Sequence, residues 1–149
     1  MIAVRGVTSG DAAAWLALRH ALWPESSAGE HWDEIERFLA GGSREPLAVL
    51  LAFEPGGRAV GLAELSIRSF AEGCSTDRVA YLEGWFVEPQ ARGQGVGGLL
   101  VEAAERWARG QGCTELASDS GVDNDIGAGA HRALGFTEVG VVRCFRKDL

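Results

Sequence analysis

With 149 residues, 46% of them apolar, and fourteen basic against twenty-one acidic side chains for a net charge of −7, residues 1–149 have the makings of one compact domain with a full core. The negative balance disfavours nucleic acid and would attract a cationic partner, and there is no run of about 18 apolar residues to cross a membrane. The start MIAVRGVTSG lacks the regions of a signal peptide, and Cys74, Cys113 and Cys144 show no C-x-x-C spacing, so a cytoplasmic protein with reduced thiols and no metal is expected.

In chain order, residues 2–7 read as a short strand, and Thr8, Ser9 and Asp11 offer caps for a helix whose inner face is Trp15, Leu18 and Leu22. Pro24 stops that helix, because proline disfavours helical geometry in the residue before it. Ser27 and Glu30 have capping-box spacing ahead of a second helix with Ile35, Phe38 and Leu39 on a narrow apolar face. This segment is acidic, carrying Glu25, Glu30, Asp33, Glu34 and Glu36: a solvated face, or the wall of a site for a polycation. Residues 47–53 and 59–67 form an antiparallel hairpin around the turn EPGGR. Residues 68–78 have no period and read as a loop at the sheet end, where substrate sites often lie.

Residues 80–108, AYLEGWFVEPQARGQGVGGLLVEAAERWA, organise the rest. Residues 81–87 are a buried strand closed by Pro89, and from Val96 the spacing of Val96, Leu99, Leu100, Ala103, Ala104 and Trp107 is the stripe of an amphipathic helix. Between them lies a glycine turn. Gly93, Gly95, Gly97 and Gly98 let backbone approach a ligand, and the unpaired N–H groups and positive dipole end of the helix start suit a pyrophosphate. Gly93, Gly95 and Gly98 also satisfy the dinucleotide spacing G-x-G-x-x-G, but that fingerprint turns tightly out of its strand, whereas five residues separate Val87 from Gly93. A P-loop fails for want of Gly-Lys-Ser/Thr. The remaining alternatives are a turn whose glycines serve only geometry and the R/Q-x-x-G-x-G loop discussed below. Beyond Gly112, residues 114–118 read as a strand ending at Asp119, residues 121–136 as a helix closed at Gly135, and residues 136–139 and 141–145 as closing strands. Gly127 and Gly129 each cost that helix about 1 kcal/mol relative to alanine. The pattern is an α/β chain with a mixed sheet flanked by helices.

Arg92-Gly93-Gln94-Gly95-Val96-Gly97 resembles the acetyl-CoA pyrophosphate loop of the GNAT N-acetyltransferase superfamily, whose element order the whole chain shares. LRHALWP, AYLEGWFVEP, ELASD and N-x6-H-x-A-L-G-F look more narrowly like the aminoglycoside 6′-N-acetyltransferases. The resemblance implies the GNAT fold, acetyl-CoA as cosubstrate, an aminoglycoside 6′-amine as acceptor, direct transfer in a ternary complex, and a homodimer. Arg92 to Gly98 would hold the cofactor. Glu83, on the central strand, and Asp119, at the end of the next, would bind the ammonium and steer its deprotonation, directly or through water. Glu83 could instead be a structural carboxylate bonded to a neighbouring strand or loop, and Asp119 a cap for the final helix. The main chain at Phe86 and Val87 would stabilise the oxyanion.

Where the superfamily often places an acidic tyrosine this chain has His131, either a proton donor for the departing thiolate or a packing residue. Asn124 matches the asparagine on the pantetheine arm, with helix capping as the alternative. Trp23 would line the acceptor site beside Glu25, its ring attracting ammonium groups; Trp85 and Trp107 look like core. Phe70 stands at the substrate loop where the family pattern has a tyrosine, which allows a GNAT enzyme acting on a polyamine, amino acid or protein amine; a non-catalytic acyl-CoA-binding module is a third reading, against which Glu83 and Asp119 together count.

Overall fold

The computed structural model describes residues 1–149. Strand β1 (Ala3–Gly6) leads into helices α1 (Ala12–Leu22) and α2 (Ala28–Leu39), then β2 (Ala48–Phe53), β3 (Ala59–Arg68) and β4 (Val79–Val87), helix α3 (Val96–Gly110), β5 (Leu116–Ser118) and α4 (Asp125–Ala133). The five strands lie side by side in chain order, antiparallel from β1 to β4 and parallel between β4 and β5. A parallel pair needs a crossover, and α3 supplies it.

Helices cover both faces of the sheet, which is why β3 is buried along almost its whole length instead of alternating. On one face Trp15, Leu18 and Ile35 of α1 and α2 pack on Val49, Leu51 and Leu62. On the other, Val96, Leu100, Val101 and Ala104 of α3 pack on Ala52, Val60, Ala63, Leu65 and Leu82. Most of the helical stripe read from the sequence faces this core, but Leu99 is exposed and Val101, outside the stripe, is buried in its place. Ser27 and Glu30 make the capping box that starts α2. The strand expected over residues 114–118 is confined to three, and α4 begins at Asp125, where Asn124 caps it.

The closing strands expected over residues 136–145 are not formed. Phe136 packs against the α3-side core, residues 137–145 run exposed beyond it beside a β5 of only three residues, and Val139 sits against the loop at Gly73. Its apolar pattern is real, but a strand also needs a partner.

Candidate active site

Strand β4 carries a bulge. Glu64 of β3 stands opposite Gly84 and Leu65 opposite Leu82, so Glu83 is the extra residue and has no partner across the ladder. Leu82 and Trp85 face the α3 side of the sheet, whereas Phe86 packs among the α1 residues. The bulge therefore presents both Glu83 and Gly84 to the α1 face. There Gly84 makes room for Trp23: a Cβ on Gly84 would stand 2.7 Å from the indole ring.

Glu83 receives Ser66 Oγ at 2.5 Å and the Arg68 guanidinium through Nε at 2.9 Å and Nη2 at 2.7 Å. The guanidinium lies 3.6 Å from the centre of the Tyr81 ring, and the Tyr81 hydroxyl donates to Asp119 Oδ2 at 2.5 Å. Glu83, Arg68, Tyr81 and Asp119 thus form one continuous polar chain across the end of β3, β4 and β5. Burial first, and then the neighbouring Asp119 carboxylate, push the Tyr81 phenol far above its usual range, so its hydroxyl stays a donor. Asp119 does not cap the final helix. Glu83 is bonded to the neighbouring strand, as one of its two readings required, and yet it also lines a pocket of about 230 Å³ with Trp23, Glu34 and Glu45.

A buried network holds that pocket's wall. Glu64, buried in β3, accepts from Trp15 Nε1 at 2.8 Å and Arg19 Nε at 2.9 Å. Arg19 also meets His31 Nδ1 at 2.9 Å and pairs with Glu34, while His31 Nε2 lies 2.9 Å from the Trp23 carbonyl oxygen. A carbonyl and a guanidinium on opposite sides require His31 to carry its hydrogen on Nε2. Burial pushes the Glu64 carboxyl up, and Arg19 and Trp15 oppose that shift.

On the opposite side of β4 the cleft is made from main chain. The β4–β5 pairing ends at Leu82 and Ser118, so the strands part beyond it. Glu88 donates to Val60 across β3, and alternation along an antiparallel strand turns the Val87 amide to the edge that β5 leaves open, while Phe86 stands in register with Leu62. Arg92 Nε donates to the Val87 carbonyl at 2.8 Å and Gln94 Nε2 to that of Gln90 at 3.4 Å, tying the glycine turn to the strand it follows. Gly93 and Gly95 have φ of +78° and +80°, the left-handed region that favours glycine, with open space above both. Gly95 caps α3 without a side chain, and the first intrahelical donor is Leu99. The N–H groups of Val96, Gly97 and Gly98 are left for a ligand. Gly97 is held close to Trp85, whose Nε1 donates to its carbonyl at 3.3 Å.

The remaining candidates are scattered. His131 places Nδ1 2.7 Å from the Gly127 carbonyl and Nε2 2.8 Å from Ser118 Oγ, with its ring edge-on to Trp85 and Phe136. Both nitrogens are engaged, and the Ser118 hydroxyl donates in turn to the Leu82 carbonyl at 3.3 Å, so a proton from this ring would reach the cleft only if that hydroxyl turned. Asn124 Oδ1 accepts from Gly127 N at 2.9 Å, the capping alternative, leaving Nδ2 free. Glu25 is exposed beyond α1, and Phe70 is 66% exposed on the wall of an open groove of about 1030 Å³ that also reaches Tyr81 and Asp119.

The model of the acetyltransferase (GNAT) family matches residues 15–136. The chain belongs to the GNAT acetyltransferase family. It is 56% identical over 146 residues, 98% of this chain and 96% of the relative, to the aminoglycoside N(6′)-acetyltransferase type 1 of Klebsiella aerogenes. It is 43% identical to the enzyme of that name from Stenotrophomonas maltophilia, over 98% of this chain and 93% of the relative. Among solved structures, AAC(6′)-Iy in complex with the bisubstrate analogue CoA-S-monomethyl-acetylneamine superposes with a TM-score of 0.92 at 35% identity, covering 100% of this chain and 99% of that one.

In this GNAT domain the donor set of the glycine turn suits a pyrophosphate: unpaired backbone N–H groups at a helix start and no acidic side chain from Arg92 to Leu99. Four polar residues of the site were missed from the sequence: Ser66, Arg68 and Tyr81 on the acceptor side and Ser118 beside His131. A signal existed for the first. Ser66 is a polar residue in a strand that reads as core, and it is fully buried.

Proposed function

We propose that the protein transfers the acetyl group of acetyl-CoA to the 6′-amine of aminoglycoside antibiotics, and so confers resistance to them. The observation that carries the proposal is the carboxylate pair Glu83 and Asp119, linked through Arg68 and Tyr81 near where β4 and β5 part and with Glu83 sharing a pocket with Trp23, in a chain that shares more than half its residues with an enzyme of that name. Acetyl-CoA supplies an activated thioester, and the Val96 to Gly98 amides would hold its pyrophosphate. Glu83 and Asp119 bind the ammonium and draw off its proton, since only the free amine attacks. The Val87 amide donates to a carbonyl oxygen that gains negative charge during attack. The C–S bond breaks as the amide forms, and the departing coenzyme A thiolate takes its proton from His131 by way of Ser118.

We take residues 1–149 as one acetyltransferase domain working in the cytoplasm as a homodimer. Support for the dimer comes from the apolar tail with its 88%-exposed Phe145, and from the open edge of β5, which a second copy would cover. Light scattering should give twice the chain mass. The test of the activity is coenzyme A release with paired aminoglycosides, one bearing a 6′-amine and one a 6′-hydroxyl. Turnover of the amine alone, with kcat/KM of about 10⁴ M⁻¹s⁻¹ or more, is expected. Equal turnover of both would move the acetylated amine elsewhere on the drug, and turnover of neither would favour a different natural amine.

A further inference from the structure

Two arginine–glutamate pairs lie on the α1 face of the sheet, and they differ in permanence. In the pair Arg19–Glu64 the side chains are 8% and 2% exposed, and Arg19 also holds His31 and Glu34. Arg68 makes all its hydrogen bonds to Glu83 alone, and its side chain is 38% exposed. Its Cζ stands 3.6 Å over the centre of the Tyr81 ring, and its exposure gives it a path to solvent. The guanidinium nitrogens engage both carboxylate oxygens, and Ser66 takes a further lone pair of Oε1, so three of about four acceptor directions are filled. An incoming ammonium needs those directions. Glu83 cannot serve fully as its counter-ion while Arg68 remains.

Resting on the functional reading above, we propose that Arg68 is a displaceable counter-ion: in the free protein it occupies the ammonium site of Glu83, and the cationic acceptor expels it on binding. A half-buried carboxylate facing a pocket with Glu34 and Glu45 would repel its neighbours if left bare, and Arg68 neutralises it until a substrate arrives. The exchange makes every acceptor meet the same opposing cost. A simple monoamine merely replaces one cation with another, whereas a polyamine recovers the cost through further contacts with carboxylates of the pocket. Arg68 therefore sets a charge threshold for acceptors, and it works by opposition, not attraction.

The experiment is calorimetric titration, without acetyl-CoA and at about pH 8 so that carboxylates stay ionised. Wild type, Arg68→Met and Arg68→Lys are each titrated with neamine and with methyl 6-amino-6-deoxyglucopyranoside; melting curves and acetyl-CoA titrations run alongside. Arg68→Met should bind both amines more tightly, by about three- to tenfold. Arg68→Lys, which keeps the charge but loses the bidentate fork, should gain less, and it carries the test if the methionine variant shows no cooperative melt. In steady state KM should fall with kcat within about threefold. Equal or weaker amine binding by the variants, or a fall in kcat at constant KM, would make Arg68 a prop that positions Glu83 and would overturn this proposal alone. No neamine binding by any form, with acetyl-CoA binding intact, would overturn the functional reading and this one with it. Binding gained only on removing Arg68 would support it.

Discussion

Around the glycine turn the ligand-facing groups are main-chain amides, fixed by Gly93 and Gly95 in left-handed geometry and by the first turn of α3. Across β4 the acceptor side is built from charged and aromatic side chains: Trp23, Arg68, Tyr81, Glu83 and Asp119. The first region suits a ligand part that never changes, because backbone donors are insensitive to most substitutions. The second is tuned by single residues. The cofactor site is thus robust and local, and the acceptor site adjustable and assembled from afar.

Substitutions can test that contrast, beginning with the most severe. Glu64→Leu leaves the Trp15 indole N–H and Arg19 Nε without a partner in the interior and takes the buried counter-charge from Arg19, which keeps Glu34 and His31. Breaking one side of a buried pair costs about 3–5 kcal/mol, so calorimetry should show the melting temperature down by about 10 °C. Because the lesion lies on the acceptor side, acetyl-CoA affinity of the folded fraction should hold within twofold. Asp119→Asn should cut kcat by about 10²-fold or more in a coenzyme A release assay, the usual size of a lost general base, with a normal melt. Trp23→Ala removes the aromatic wall, worth about 0.5–2 kcal/mol, and should raise the drug KM by about two- to thirtyfold without changing KM for acetyl-CoA. The smallest effect belongs to Asn124→Ala. Losing its cap to Gly127 costs about 1 kcal/mol, visible as a melting temperature lower by about 2–4 °C, with acetyl-CoA KM within twofold.

The same contrast explains what could be read in the sequence. The order of elements from β1 to α4 follows from apolar spacing and punctuation, and the cofactor turn follows from four glycines in six residues, all within one short string. Glu83 was legible because a carboxylate stands out in a buried strand. Its circumstances were not: Arg68 lies fifteen positions away, Tyr81 and Asp119 thirty-eight apart, and no local period reports such pairings. Nor does YLEGWFV announce a bulge at Glu83, which arises only from its register against β3. The tail misled for the opposite reason. Its valines and Phe145 have the composition of a strand, but strand formation depends on an edge to pair with, and within one chain β5 offers only three residues.

The division of labour between the two regions is tested most directly by one paired titration. Acetyl-CoA affinity by calorimetry and the single-turnover rate of acetyl transfer, at saturating acetyl-CoA and drug, are measured for Gly95→Ala and Glu83→Gln. A residue forced to φ near +80° costs about 1–2 kcal/mol, so Gly95→Ala should weaken acetyl-CoA by about five- to thirtyfold and leave the saturated rate within threefold. Glu83→Gln should do the reverse, with affinity within twofold and a rate lower by about 10²-fold. Comparable losses of acetyl-CoA binding in both variants would contradict the account and make Glu83 a structural residue.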